Sequence, residues 1–146
     1  MKRLLLIIIF SVTFLTNACA DEIFNELLSA IKQDVTDAQL VGLENKYKGQ
    51  IISGVGYVDD VRVDMFTKGL NISLSLEYNK YTIMSDVHIE VPEDSPYFSI
   101  AQNLNKGQMI SFSGKFDDIF GRSIYIRGDV KIRDIRDTGI PWRDAQ

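Results

Sequence analysis

The sequence predicts a mainly β protein of the α+β class, in which a five-stranded barrel follows one or two short helices. Three observations lead to this prediction. The hydrophobic period changes from 3.6 residues, over residues 21–47, to 2 residues from residue 50 onward. Five strand-like segments follow, with a helical segment between the third and the fourth. Segments 49–61 and 107–119 are near copies, identical at seven of thirteen positions.

Residues 1–20 have the features of a secretory signal peptide. Lys2 and Arg3 form a positively charged start, and an apolar run follows over residues 4–15. This run is too short for a membrane span, so we expect no span once the leader is removed. The sequence therefore predicts export to the periplasm with cleavage after Ala20.

Cys19 leaves an alternative open, in which the chain is a lipoprotein acylated at this residue. We favour cleavage after Ala20, because Ala18-Cys19-Ala20 fits a small-residue cleavage site. Thr16 also stands where a lipoprotein signal normally carries Leu.

The exported chain would be acidic and free of cysteine. Residues 1–20 hold the one cysteine and two basic residues, so their removal changes the formal net charge from −4 to −6. A disulfide framework, a thiol nucleophile and cysteine-bound zinc are then excluded. The negative sign opposes binding to nucleic acid or anionic lipid, so we do not expect nucleic acid as the partner.

The helical lead-in, residues 21–47, contains two predicted helices. Apolar residues recur at helical spacing over residues 21–34. A second helix should begin at Thr36, because Thr36 and Gln39 have the spacing of a capping box.

The barrel strands are predicted from alternation of apolar and polar residues. The predicted strands are residues 50–58, 69–78, 81–91, 109–116 and 123–133, and a helix begins at Ser95-Pro96. Asn79-Lys80 would form a two-residue hairpin turn that places Ile72 opposite Val87. The order β-β-β-α-β-β, with a long, glycine-bent first strand, is that of the OB-fold Greek-key barrel. We assign residues 48–135 to the barrel and 136–146 to a loose tail.

The repeat has a structural and a functional interpretation. Asp59-Asp60 and Asp117-Asp118 close the two copies, which are the first and fourth strands. Aspartate favours turns, so the repeat would be two solutions to the same barrel corner. Clustered carboxylates also suit a divalent cation, but the ends of antiparallel strands lie apart, and no metal site is assigned.

Two further classes of function receive little support. The outward residues of the second and third strands include neither an aromatic nor a basic residue, although nucleic-acid sites need both. His88 is the one histidine, and Ser73 and Asp86 share its face without a predicted pocket. We therefore expect no catalytic residue, no enzyme activity and no cofactor.

A resemblance supports the barrel. Tyr47-Lys48-Gly49-Gln50, Gly56-Tyr57-Val58 and Leu104-Asn105-Lys106-Gly107-Gln108 resemble the tRNA-anti-like OB-fold family over roughly residues 36–133. The chain is also similar to the periplasmic bacterial OB-fold group, whose insertion between strands three and four is shorter. The resemblance implies a small exported barrel behind a helical segment, and it supplies no catalytic residue.

The leading functional hypothesis is a non-enzymatic exported binding module. It would engage a protein or a small envelope ligand through the loops after the first and fourth strands. The candidate contacts are Asp59, Asp60, Arg62, Phe66, Lys68, Asp117, Asp118, Phe120 and Arg122. Phe66 and Phe120 are either partner anchors or plugs of the barrel mouth. An inhibitor or immunity-type protein and a divalent-cation-dependent binder remain as alternatives, and the oligomeric state is not predicted.

Overall fold

Three helices and six strands make up the part of the chain that the structure, a computed structural model, describes. That part comprises residues 20–33, 35–77 and 85–135. Helix α1 covers residues 20–32. The other elements are α2 Asp37–Tyr47, β1 Ile51–Val63, β2 Leu70–Ser75, β3 Val87–Val91, α3 Phe98–Gln102, β4 Met109–Phe120, β5 Ser123–Arg127 and β6 Lys131–Asp134. None of the helices in these ranges is long and apolar enough to cross a membrane.

The strands close into a five-stranded barrel of the OB-fold type, with the order β1-β2-β3-β5-β4 and a further pairing of β1 with β4. The pairing of β3 with β5 is parallel, and the others are antiparallel. The interior contains fully buried aliphatic side chains and Phe116. The predicted fold class is confirmed.

The two copies of the repeat are hydrogen-bonded to each other. Ile51 pairs with Lys115, and Tyr57, at the other end of the β1–β4 pairing, pairs with Met109. Met109 is the counterpart of Ile51 and Tyr57 is the counterpart of Lys115, so each pair corresponds to another pair when the two copies are exchanged. This pattern defines a local two-fold axis between β1 and β4, which passes close to the pair Gly54 and Phe112.

The two-fold relation extends to the ends of the paired segment. The N–H of Gly49 donates to the carbonyl of Phe116 (2.8 Å), and the N–H of Gly107 donates to the carbonyl of Val58 (2.7 Å). Both glycines have positive φ, 85° and 84°, a conformation that other residues seldom adopt. The turn glycines of the repeat thus close both ends of the β1–β4 pairing.

The aspartate pairs mark two β-bulges. The β1–β2 register shifts between Val58 and Asp60, and the β4–β5 register shifts between Phe116 and Asp118. The first aspartate of each pair is the extra residue, which bends the strand and increases its twist. Beyond the bulges, β1 continues along β2, and β4 continues along β5. The two copies occupy equivalent corners of the barrel, but their aspartates form bulges and not the predicted turns. The strands are longer than predicted because they continue past the corner.

The two helices of the lead-in pack on the barrel. Thr36 caps α2 and forms the predicted capping box with Gln39. Phe24 of α1 makes an edge-to-face contact with Phe112 at 5.4 Å between ring centroids. This contact uses the space left by Gly54, because a Cβ there would lie 2.4 Å from the Phe24 ring.

Several predicted strand limits and one register are wrong. Ile72 pairs with Ile89 rather than Val87, a shift of two positions that leaves every side chain on its predicted side of the sheet. β2 ends at Ser75 and β3 begins only at Val87, since the Asp86 carboxylate accepts from the N–H of Leu76 (3.0 Å) in place of a backbone carbonyl.

The last predicted strand is two strands. Gly128 and Asp129, both with positive φ, interrupt residues 123–133, and the second piece, β6, pairs with β4. The helix predicted from Ser95 begins at Phe98.

Several predictions concern residues outside the described ranges. These are the leader up to Cys19, the Asn79-Lys80 turn and the tail 136–146. Cleavage after Ala20, lipidation and export stay predictions.

Candidate functional site

A row of five side chains crosses the outer surface of the barrel. Successive strand pairings connect Asp60, Ser73, His88, Tyr125 and Asp118. The second aspartate of each repeat therefore occupies one end of the row, and the histidine lies at its centre. We call the outward side of β1, β2, β3 and β5 the outer face.

The centre of the outer face is aromatic. The rings of His88 and Tyr125 stack at 4.7 Å between centroids, with 20° between their planes. Phe120 meets Tyr125 edge to face at 6.5 Å and is 73% exposed. Such contacts orient the rings and add to the packing energy.

Burial favours the neutral form of the His88 imidazole. Burial lowers the pKa of its imidazole, and the charge of Asp59 partly opposes this effect. Its Nδ1 lies 3.2 Å from the Ser73 hydroxyl. The Asp86 carboxylate accepts from the N–H of Leu76, and within the described residues no hydrogen bond joins it to the imidazole. The arrangement of a nucleophile, a base and an orienting acid is therefore incomplete at this histidine.

Asp59 is immobilised by serine hydroxyls. Its Oδ2 accepts from the hydroxyls of Ser75 (2.5 Å) and Ser85 (2.7 Å). The Ser123 hydroxyl in turn donates to the carbonyl of Ser85 (2.6 Å). The bulge thus points the first aspartate of β1 into a polar network that joins β1, β2, β5 and the segment before β3.

Asp60 and Arg62 form an ion pair along β1. Their side chains lie 2.5 Å apart between Nε and Oδ2. This hydrogen bond from Arg62 is the main reason that the pKa of the Asp60 carboxyl is lowered. The pair cancels its own charge within the outer face.

Asp117 and Asp118 lie in a separate ionic network around Arg127. The guanidinium contacts Asp117 and Glu90 at 2.5 and 2.8 Å, and Asp118 at 3.9 Å. Burial, followed by the charge of Asp117, raises the pKa of the Asp118 carboxyl. One guanidinium therefore contacts three carboxylates, and its single positive charge does not offset all of them.

A groove of about 970 Å³ runs over the outer face. Its lining includes Asp59, Arg62, His88, Phe120 and Tyr125. Gln102 of α3 and Lys106 after α3 border it as well. The volume lies within the range of small-ligand sites, and both aromatic and hydrogen-bonding groups face it.

The nine sequence-predicted contacts fall into four places. The groove is lined by Asp59, Asp60, Arg62, Lys68 and Phe120. Arg127 binds Asp117 and Asp118. Phe66 lies at a loop tip, and Arg122 binds the helical lead-in. Six of them, Asp59, Asp60, Arg62, Asp117, Asp118 and Phe120, lie on strands and not in the predicted loops. The reason is that β1 and β4 continue past their bulges.

Arg122 anchors the end of α1 and the linker after it. Its guanidinium donates to the carbonyls of Ile31, Gln33 and Val35, each at 3.3 Å. A cation at the C-terminal end of a helix also interacts favourably with the helix dipole. This contact is structural and holds the lead-in against the β4–β5 turn.

The turn between β1 and β2 is fixed by Asp64. Its Oδ1 accepts from the N–H groups of Phe66 (2.8 Å) and Thr67 (3.2 Å). The first of these bonds is the main cause of the lowered pKa of the Asp64 carboxyl. The backbone of Asp64 also bonds to Gly69 and Lys68, each at 2.8 Å. Phe66 is 99% exposed, so it is not a plug of the barrel.

Sequence reasoning missed the aromatic centre of the groove. Tyr125 belongs to the last predicted strand, whereas the nucleic-acid face was sought on the second and third strands and the partner contacts in the loops after the first and fourth strands. The parallel pairing of β3 with β5 brings Tyr125 next to His88. The strand order of the OB barrel is the signal that would have found this pair.

Cation binding would need several ligands at one place. In the described ranges, no three acidic, histidine or cysteine side chains converge in a way that suits a metal ion.

Comparisons with known proteins give one structural likeness of note. No family model matches the chain, and no curated protein matches it. Among solved structures, it is similar to a lipoprotein of Klebsiella pneumoniae subsp. pneumoniae for which nucleic acid binding is proposed. The two are 10% identical, with a TM-score of 0.49, and the match covers 66% of this chain and 80% of that chain. At this level of likeness, the described function of that protein is not transferred.

Proposed function

We propose that the chain is a non-enzymatic, exported binding module that holds a protein segment or a small envelope ligand on the outer face of its barrel. The observation that carries this proposal is the groove of about 970 Å³ with the His88–Tyr125 stack in its lining. Aromatic rings beside a few fixed polar groups are typical of binding sites.

Binding without turnover fits the chemistry of the groove. Asp59 is engaged by two serine hydroxyls, and Asp60 is paired with Arg62. Carboxylates that are fixed by such hydrogen bonds and ion pairs can orient a ligand without reacting with it. Ser73 and His88 form a close pair, and within the described residues no carboxylate is hydrogen-bonded to the histidine.

Nucleic acid stays outside the proposal because of charge. Single-stranded nucleic acid requires a basic groove along its backbone. Here Arg62 is paired with Asp60. The groove lining holds Arg62, Lys68 and Lys106 against Asp59 and Asp60, so it is far from the strongly basic groove that nucleic acid needs. The chain as a whole has a formal net charge of −4.

Ligand retention is the direct test. The protein would be incubated with the soluble envelope fraction of its host, separated, and measured by native mass spectrometry. We expect an added mass that Tyr125→Ala and Phe120→Ala lose. Val41→Ala is the control, because Val41 is 54% exposed on α2 and lies outside the groove. Retention unchanged by the groove variants, or conversion of the ligand into a product, would contradict the proposal.

A further inference from the structure

Three apolar side chains project from the turn between β1 and β2. Val63, Met65 and Phe66, which we call the tip, are 65%, 90% and 99% exposed. In the described ranges, no other large apolar side chain is as exposed as Phe66. Single exposed apolar residues are common, but a cluster within four positions indicates a contact surface.

The tip is held in one conformation before it meets anything. The Asp64 carboxylate accepts from the N–H groups of Phe66 and Thr67, and backbone bonds from Asp64 to Gly69 and from Lys68 to Asp64 close the turn. A rigid loop loses little conformational entropy on binding. Asp64 therefore fixes the direction in which Phe66 points.

We propose that the tip is a protein-docking element that inserts into an apolar cleft of a folded partner. Met65 and Phe66 lie outside the groove, whereas Val63 lines it. Docking through Phe66 is thus distinct from ligand binding in the groove. A large aromatic that fills a pocket is a frequent anchor of protein interfaces.

A protein fits this surface better than a lipid bilayer. Segments that bind membrane surfaces combine apolar residues with several cations. The tip is flanked by Lys68, whereas the charge of Arg62 is cancelled by Asp60. The net charge of the whole chain is −4, which opposes anionic lipid. A fixed loop conformation favours binding to a cleft of matching shape, whereas a fluid bilayer has no fixed shape for the loop to match. The cleft is expected to carry a carboxylate at its rim, opposite Lys68.

Site-specific cross-linking tests this proposal in the host cell. In the full-length chain, Phe66 is replaced by the photoreactive p-benzoylphenylalanine, and the same replacement at Val41 gives the background. We expect one protein adduct that is specific to position 66. Asp64→Ala in the same chain should weaken the adduct, because it releases the turn, while Asp94→Ala, which removes an exposed carboxylate elsewhere, should not.

Titration of the identified partner then gives the decisive numbers. Phe66→Ala should lower its affinity by about 30-fold or more, the loss typical of an anchor residue. Because Phe66 is 99% exposed, this variant should keep the melting temperature of the parent. Three results would overturn the proposal: no adduct above the Val41 background, a partner that binds Phe66→Ala equally well, or binding to phosphatidylethanolamine–phosphatidylglycerol vesicles that depends on Phe66.

Discussion

Gly54→Ala tests whether α1 is seated on the barrel as described. The new Cβ would lie 2.4 and 2.7 Å from two atoms of the Phe24 ring and 3.1 Å from Phe112. Both rings are only 4% exposed, so neither can turn into solvent without loss of packing. Overpacking of this kind costs about 1–3 kcal/mol.

Two opposing effects determine the net change. Alanine is favoured over glycine within a strand by about 0.5–1 kcal/mol, because glycine loses more backbone entropy on folding. The steric term is larger, and we expect a net loss of about 1–2 kcal/mol. For a domain of this size, that loss lowers the melting temperature by about 3–10 °C.

Thermal unfolding followed by circular dichroism measures this change. Gly42→Ala is the matched control, because Gly42 is an exposed position of α2 with no atom within 4 Å of the added Cβ. It should stabilise the protein by up to about 1 kcal/mol. In a Phe24→Leu background, Gly54→Ala should cost less, since the clashing ring is gone. A Gly54→Ala protein as stable as the parent would refute the packing of α1 described above.

Three further predictions follow from single side chains. Arg122→Lys keeps the charge but not the three-way hydrogen bonding, so it should speed amide exchange in α1 and cost about 0.5–1 kcal/mol; unchanged exchange would mean that Arg122 does not hold the lead-in. Asp118→Asn should raise the melting temperature at pH 7. A carboxyl with a raised folded-state pKa costs stability once ionised, so the gain should shrink as the pH falls toward about 4, and a gain independent of pH would contradict this reasoning. Phe120→Ala should lower stability by no more than about 1 kcal/mol, as its one ring contact is an edge contact with Tyr125; a larger loss would place Phe120 in the core.

The barrel could be predicted because alternation and turn residues act locally. Alternation over residues 123–133 predicts a strand with one apolar side, and the apolar residues Ile124, Ile126, Val130 and Ile132 are all buried. The β2–β3 register could not be obtained in this way. A shift of two positions preserves the side of every residue, so the apolar pattern is equally satisfied by Ile72 opposite Val87 or Ile89.

The site was less predictable for two physical reasons. Aspartate normally signals a turn, whereas here Asp59 and Asp117 are bulge residues inside strands that continue. These strands are extended by pairing with other strands, and the residues near each bulge carry little sign of that pairing. The contact of His88 with Tyr125 joins two strands that are distant in sequence, so it could be found through the strand order alone.

The two-fold relation between the repeats protects the closing seam of the barrel against misalignment. The seam joins strands that are far apart in the chain, and such long-range closure is the slow step of β folding. A slip of one residue would turn the interior side chains of one strand outward. A slip of two residues would keep them inside but would separate Gly49 from Phe116 and Gly107 from Val58 together. One slip would therefore break the hydrogen bonds at both ends of the β1–β4 pairing at once. The repeated sequence thus favours the native register over both kinds of misaligned closure.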